Sequence, residues 1–270
     1  MNVFRHNPGT KLVLYGVTAA LYLFIFAPIA VVVYGSFDPN EVLSFPYAGA
    51  SLTWYREFFT SRSLLTSIGN SLLLGAAASV GAAVLGVLAA LLVIRFRFRG
   101  RSGLELLLVS PMVVSKVILG AAILSFMAAL EIPRSWPGLI LLHVLITLPF
   151  AFLVVWAPLS THGRTYEEAA LVLGADEIVA TWEVTLPLLA PAILGGVLLS
   201  FTVSFDEFSA TQFLTTPATA TVPIRVYSMI ETAITPTINV LATFLILVTG
   251  LLPAIAQYAF GILRRGRVGE

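Results

Sequence analysis

The sequence predicts an all-α, polytopic membrane protein with about six transmembrane helices. Of its 270 residues, 58% are hydrophobic and only 11% are charged, and the mean hydropathy is +0.96. Soluble domains average about 45–50% apolar and about 25% charged residues, so a water-soluble fold of this size would leave much apolar surface uncovered. Uncharged runs long enough for the roughly 20 helical residues of a bilayer crossing recur along the chain.

These runs set the predicted spans. The first run, 12–37, exceeds the apolar core of a signal peptide, about 7–15 residues, and is interpreted as an uncleaved helix. The second run carries Gly69, Gly75, Gly81 and Gly86, and such small residues suit a closely packed interior helix. The predicted spans are residues 12–37, 63–94, 104–130, 136–160, 186–207 and 238–263.

The basic residues predict that both termini are cytoplasmic. With the N-terminus inside, the cytoplasmic segments hold Arg5, Lys11, Arg95, Arg97, Arg99, Arg101, Arg164, Arg264, Arg265 and Arg267. The outer segments hold only Arg56, Arg62, Arg134 and Arg225. An excess of Lys and Arg in the inner loops is the common orientation signal.

Composition also excludes several classes of function. A net charge of +1 gives no indication of nucleic-acid binding. The absence of cysteine removes disulfides and thiol chemistry, and the three histidines lack a metal-ligand spacing. No catalytic motif is found. We therefore predict no catalytic residues, no metal site and no cofactor on this chain.

The segment between the fourth and fifth spans predicts two short helices. Thr165 followed by Glu168 forms a capping box that begins a helix. Gly174 ends it, because glycine adopts the left-handed conformation at helix ends. Asp176 or Glu177 favours the start of a second helix through the helix dipole. The residues alone leave two interpretations open: a knob for a groove on a soluble partner, or an amphipathic connector on the headgroups.

The same segment resembles the EAA loop of ABC importer permeases. Residues 168–187 contain E-A-A, three residues, G, nine residues, V, one residue and L-P. The family pattern has Ile at the position of Val184. The resemblance implies that this loop is a cytoplasmic coupling helix that contacts an ATP-binding subunit. The residues assigned to this coupling role are Glu167, Glu168, Ala169, Ala170, Gly174 and Ala175.

Two further stretches are similar to the C-type permease of spermidine/putrescine importers. They are V-P-I-R-V-Y-S-M-I at 222–230 and T-P-T-I-N-V-L-A-T at 235–243. Asn70-Ser71-Leu72 looks like the start of the shared core. The expected organisation is a first helix and outer loop at 1–63, a core permease domain at 64–263, and a cytoplasmic basic tail at 264–270.

The resemblance also implies the assembly and its location. A second permease subunit, expected as a heterodimer partner, completes the translocation pathway in the bacterial inner membrane. Two ATP-binding subunits carry ATP and Mg, and a periplasmic binding protein delivers the solute. This chain itself is expected to be no enzyme, and its solute is expected to be a polyamine such as spermidine or putrescine, or a related amino compound.

Three charged residues lie within predicted spans. Lys116 is about twelve residues into the third span, and Asp206 and Glu207 lie at comparable or greater depth in the fifth. Intramembrane charges are costly and commonly face a partner or a pathway. We leave open whether Lys116 forms an ion pair with one of these acids or whether some of these charges contact solute.

Lys116 also bears on the solute. Relatives of the polyamine type commonly carry an acid near this position, and a lysine there would repel a polyamine. The alternative within the same class is an anionic or zwitterionic solute, such as an opine, an aminophosphonate or an amino-acid derivative. The alternative from another class is a secondary transporter driven by an ion gradient, which would need its own coupling-ion site.

Overall fold

The computed structural model describes residues 8–40, 49–162, 165–232 and 235–248. In these ranges the chain is almost entirely helical and contains no β-strand. The α-helices are α1 Pro8–Gly35, α2 Thr53–Thr60, α3 Arg62–Arg95, α4 Arg101–Val109, α5 Lys116–Ala129, α6 Trp136–His162, α7 Thr165–Val172, α8 Glu177–Val179, α9 Leu186–Phe205, α10 Thr211–Leu214, α11 Val222–Thr232 and α12 Pro236–Val248.

Among the residues that the structure describes, four helical stretches are long and apolar enough to cross a membrane. They are Gly9–Gly35, Arg62–Arg95, Trp136–Thr161 and Glu177–Phe205, at the positions of the first, second, fourth and fifth predicted spans. The sixth predicted span begins within α12, but its remainder lies outside the described residues, as do the predicted basic tail and Arg164. The total of six spans stays a prediction, and so do the predicted domain boundaries.

The prediction of a continuous third span over 104–130 is wrong. Two helical stretches, Arg101–Met112 and Lys116–Ala129, meet at a break with a bend of 105°. Pro111 lies in a short 3₁₀ turn at the end of the first stretch, and a proline offers no backbone N–H to continue a helix. Ser115 has a ψ of 130°, outside the helical region, so a new helix begins at Lys116.

The described residues divide into two compact units, and one of them comprises residues 63–227. In this unit α6 packs along α9. One apolar cluster contains Leu139, Leu142 and Ile146 of α6 with Leu214 of α10. A second cluster joins Ala90, Phe152, Val155, Leu159 and Leu189, from α3, α6 and α9, near the other end of α6.

Glycines allow α3 to approach its neighbours closely, as its composition predicts. A Cβ on Gly86 would lie 2.9 Å from the backbone nitrogen of Phe152 in α6. A Cβ on Gly75 would lie 2.9 Å from the ring of Phe201, and one on Gly81 would lie 3.0 Å from Val144. Gly69 differs, because no neighbouring atom of the described residues lies within 4 Å of its Cβ position.

The other unit comprises the described residues up to 62 and from 228 onwards. The window of α1 that could cross a membrane has none of its residues buried by the described part of the chain. The indole of Trp54 in α2 donates a hydrogen bond of 2.8 Å to the carbonyl oxygen of Asp38. The ring of Phe58 lies 5.5 Å from that of Phe244 in α12, which joins α2 to α12.

Candidate functional site

The loop between α6 and α9 has the predicted helix–turn–helix form. Helix α7 begins at Thr165, and Gly174 beyond its end has a φ of +98°, in the left-handed region that favours glycine. The Oδ1 atom of Asp176 accepts a hydrogen bond of 2.7 Å from the amide of Val179 and caps α8. A π-helical turn, Ala180–Thr185, then continues into α9.

The residues assigned to the coupling role do not share one environment. Glu168, Ala169 and Gly174 are exposed, whereas Ala170 and Ala175 are half-buried. Glu167 instead points inward and is only 4% exposed. Glu168 and Ala169 are therefore accessible on the outside of α7, whereas Glu167 contacts the residues beneath the helix.

Apolar side chains extend the exposed surface of this loop. Val172 is 87% exposed, Leu173 is 89% exposed, and Ile178 and Trp182 are also mostly exposed. Exposed apolar patches next to polar residues commonly mark contacts with a protein or a membrane. We name Glu168, Ala169, Val172, Leu173 and Ile178 the loop surface.

Glu167 forms a buried ion pair with Arg95, the last residue of α3. Arg95 Nη2 donates to Glu167 Oε2 at 2.9 Å, and the two side chains are 15% and 5% exposed. The same guanidinium donates to the hydroxyl of Thr181 at 2.9 Å and to that of Thr185 at 3.3 Å. Charge-assisted bonds of this kind are among the stronger ones in proteins.

This ion pair is not among the features that the sequence predicts. Glu167 is predicted as a coupling residue, and Arg95 is counted only as a cytoplasmic charge. The two lie 72 positions apart in the chain. The only available signal is that Arg95 ends a long uncharged run, which does not indicate a partner.

A second charged site joins α5 to the segment between α9 and α10. Lys116 Nζ lies 2.6 Å from Glu207 Oε2, with side chains 45% and 2% exposed. Glu207 Oε1 also accepts a hydrogen bond of 2.8 Å from the amide of Ala210. Glu207 is thus the acid that the structure brings to Lys116, while Asp206 is exposed.

The surroundings of these charges differ from those expected within continuous spans. Lys116 is the first residue of α5 rather than a residue in mid-helix, and Glu207 follows the end of α9 at Phe205. A cation at a helix N-terminus is disfavoured by the helix dipole, and the carboxylate of Glu207 offsets that cost. The pair therefore connects the beginning of α5 with the end of α9. At such helix ends the polar backbone groups need partners.

His143 of α6 belongs to a buried polar network beside this pair. Its Nδ1 hydrogen-bonds with Ser204 Oγ at 2.8 Å, and its Nε2 with Thr211 Oγ1 at 3.0 Å. Thr211 also donates to the carbonyl oxygen of Glu207 at 2.8 Å. Both ring nitrogens of His143 are satisfied by hydroxyls, so this residue holds α9 and α10 against α6.

Asn70, which carries part of the family resemblance, fixes the turn before α11. Its Nδ2 donates hydrogen bonds of 3.0 Å to the carbonyl oxygens of Ala218 and Ala220. The neighbouring Ser71 Oγ accepts from the amide of Val222 at 2.8 Å. This arrangement gives a structural reason for an Asn-Ser pair on α3.

Comparison with known proteins identifies the class of protein. Residues 82–266 match the family model of the binding-protein-dependent transport system inner membrane component. The putrescine transport system permease protein PotI of Escherichia coli K12 is 33% identical over 92% of this chain and 91% of its own length. The spermidine/putrescine transport system permease protein PotC of Haemophilus influenzae is 29% identical over 88% of this chain and 92% of its own.

The fold is shared with a solved transporter. A crystal structure of a bacterial ABC transporter involved in the import of the acidic polysaccharide alginate contains a chain with a TM-score of 0.72 and 16% identity, covering 95% of this chain and 96% of that one. The family match also decides against a secondary transporter driven by an ion gradient. The chain belongs to the family of inner membrane components of binding-protein-dependent transport systems, and it is a multi-pass permease subunit of an ABC importer.

Proposed function

We propose that this permease forms half of the pathway of a polyamine importer and receives the ATP-driven movement through the loop surface. Two ATP-binding subunits would carry ATP and Mg, and this chain would bind neither. A second, different permease would complete the pathway, and a periplasmic binding protein would deliver the solute. Both termini would lie in the cytoplasm, on the side of the loop.

The exposure of α7 carries the proposal that an ATP-binding subunit docks there. Glu168 and Ala169 are exposed on a short helix, and Val172 and Leu173 are almost fully exposed just beyond. The small side chain of Ala169 allows close approach of a groove, and the apolar residues gain from burial in it. Closure of the ATP-binding subunits would then move two such loops and favour one of two states of the spans.

The charges near the end of α9 favour a cationic solute. Lys116 pairs with Glu207 at 2.6 Å, so its charge is compensated. Asp206 is exposed, and the three formal charges (+1, −1 and −1) leave a net charge of −1. The repulsion that Lys116 would exert on a polyamine is thereby reduced.

An aromatic pair nearby in the chain suits the same solute class. The ring of Phe208 lies 4.8 Å from that of Tyr227, and Tyr227 is 46% exposed. Aromatic faces attract ammonium groups. Together with Asp206, this pair supports the solute that the names of the two polyamine permeases suggest. An anionic or zwitterionic solute is the alternative, since the Lys116 side chain is 45% exposed.

The test is ATP-dependent uptake of labelled putrescine into proteoliposomes that contain the full complex and its binding protein. We expect uptake by the native complex and loss of uptake with Glu168→Lys. Glu57→Lys makes the same charge change on an exposed residue of α2 and should retain uptake. Copurification of an ATP-binding subunit checks assembly in each sample.

The outcomes separate the parts of the proposal. Intact ATP hydrolysis without putrescine uptake, together with competition by anionic or zwitterionic amino compounds, would contradict the polyamine assignment and leave the docking assignment standing. Normal uptake with Glu168→Lys would contradict the docking assignment instead.

A further inference from the structure

One arginine at the end of α3 contacts both the coupling helix and the start of the fifth span. Arg95 Nη2 is 2.9 Å from Glu167 in α7. Arg95 Nη1 is 2.9 Å from the hydroxyl of Thr181, and Thr185 lies 3.3 Å away, both in the π turn. A single guanidinium thus bridges three segments that are separate in the sequence.

The π turn brings both threonines to this arginine. Thr185 Oγ1 lies 3.5 Å from Glu167 Oε2 as well as 3.3 Å from Arg95 Nη2, and Thr185 itself is only 7% exposed. π-Helical turns are rare and frequently occur at functional sites. Here the turn lies directly between the loop surface and α9, so it is placed to pass on a displacement of the loop.

Apolar packing around Glu167 is incomplete. A cavity opens beside it, and its lining includes Pro158 of α6, Tyr166 of α7, Thr185 of the π turn and Leu188 of α9. Among the described residues, side chains leave this space between α7 and the adjoining parts of α6 and α9 unfilled, so polar bonds to α7 add to its packing. Arg95 supplies those bonds from α3.

We propose that Arg95 is a positioning residue that makes α3 move with α7, so that displacement of the loop surface reaches the second span as well as the fifth. This inference rests on the proposed docking of an ATP-binding subunit at α7. If α7 moved without α3, the 2.9 Å bond between Arg95 and Glu167 would break, although the two side chains are only 15% and 5% exposed. Separation of such a buried pair is strongly unfavourable, so the two helices move together.

The test compares Arg95→Gln, Arg95→Lys and Glu167→Gln in proteoliposomes with the full complex. The readout is the number of ATP molecules hydrolysed per solute taken up, with putrescine as the probe. We expect each variant to retain the ATP-binding subunit and to hydrolyse ATP. The ratio should rise about 5-fold or more for Arg95→Gln, since coupling between two sites commonly changes an equilibrium by at least about that factor. Arg95→Lys keeps the charge with fewer donors and should lie between Arg95→Gln and the native protein.

Arg101→Gln is the matched control. Arg101 also pairs with a glutamate, Glu105 at 3.0 Å, but the two side chains are 37% and 33% exposed and the pair lies within one helix. Its loss should leave the ratio unchanged. A native ratio with Arg95→Gln, or an equal rise with Arg101→Gln, would overturn the inference.

A distance measurement separates coupled motion from a merely structural role. The chain contains no cysteine, so spin labels can be placed at Arg97→Cys and Thr165→Cys without background labelling of this chain. We expect the distance between the labels to be the same with and without ATP in the otherwise native complex, and to differ between these states with Glu167→Gln. A distance that changes already without Glu167→Gln would overturn the inference.

Failure of the proposed function looks different from failure of this inference. If α7 does not dock an ATP-binding subunit, Glu168→Lys transports normally. If docking is correct and Arg95 has no positioning role, Glu168→Lys loses uptake while Arg95→Gln keeps the native ratio.

Discussion

Removal of the Lys116 side-chain charge should destabilise the protein because it isolates Glu207. The replacement is Lys116→Met, which keeps an unbranched apolar stem and removes the ammonium group. Glu207 is 2% exposed, and its side chain would keep the hydrogen bond from the amide of Ala210 but lose the ammonium group. A buried carboxylate without a compensating cation is costly, so we expect a lower free energy of unfolding.

The magnitude follows from the unequal burial of the two partners. Breaking a fully buried pair costs about 3–5 kcal/mol. Lys116 is 45% exposed, so water already solvates part of the site and reduces the loss. A loss of about 1–3 kcal/mol, the range for a buried polar group left without a partner, is therefore expected.

The assay is reversible unfolding in mixed detergent micelles, carried out as a double-mutant cycle. Glu207→Gln combined with Lys116→Met removes both charges and keeps an oxygen for the amide of Ala210, so most of the loss should be recovered. Arg101→Met breaks an exposed pair and should change the free energy of unfolding by less than about 1 kcal/mol. A double variant whose loss equals the sum of the two single losses would refute this reasoning.

Three further replacements test local features. Gly86→Ala places a Cβ 2.9 Å from the backbone of α6 and should lower stability by about 1–3 kcal/mol. Gly69→Ala adds a Cβ where no described neighbour lies within 4 Å, so it should not lower stability. Equal shifts in the thermal unfolding of the two variants would contradict close packing at Gly86. Gly174→Val forces a β-branched residue to a φ of +98°, and this backbone strain costs about 1–3 kcal/mol. The variant should therefore reduce uptake per ATP hydrolysed, whereas Gly103→Val should not. Asp176→Ala removes the cap of α8 and should lower the stability of that helix by about 0.5–2 kcal/mol. The amide of Val179 should then exchange its hydrogen faster. Unchanged exchange would show that Asp176 does not stabilise α8.

Features that depend on local pattern were predictable. The hydropathy of 12–37 and 136–160 sufficed for helices, because a bilayer selects length and apolarity whatever the neighbours are. The turn at Gly174 and the beginning of α8 at Asp176 were also predictable, because both depend on local residues. Capping and left-handed conformations depend on the residue itself and on those within one turn.

The break in the third span was not predictable from its proline. Pro149 and Pro158 lie inside α6 and do not end it, whereas the chain turns by 105° shortly after Pro111. Prolines are tolerated in membrane helices when neighbouring groups satisfy the backbone. Whether a proline ends a helix therefore depends on tertiary partners, and here α5 begins at Lys116, whose ammonium group lies beside Glu207.

By itself the sequence determined the membrane class, the long helices and the position of the loop surface. Only the tertiary structure decided that Glu167 points inward to Arg95 and that Glu207, not Asp206, forms the ion pair with Lys116. Adjacent acids such as Glu167 and Glu168 are chemically alike in the sequence. Burial and distance distinguish them, and both arise from packing between segments that are far apart in the chain.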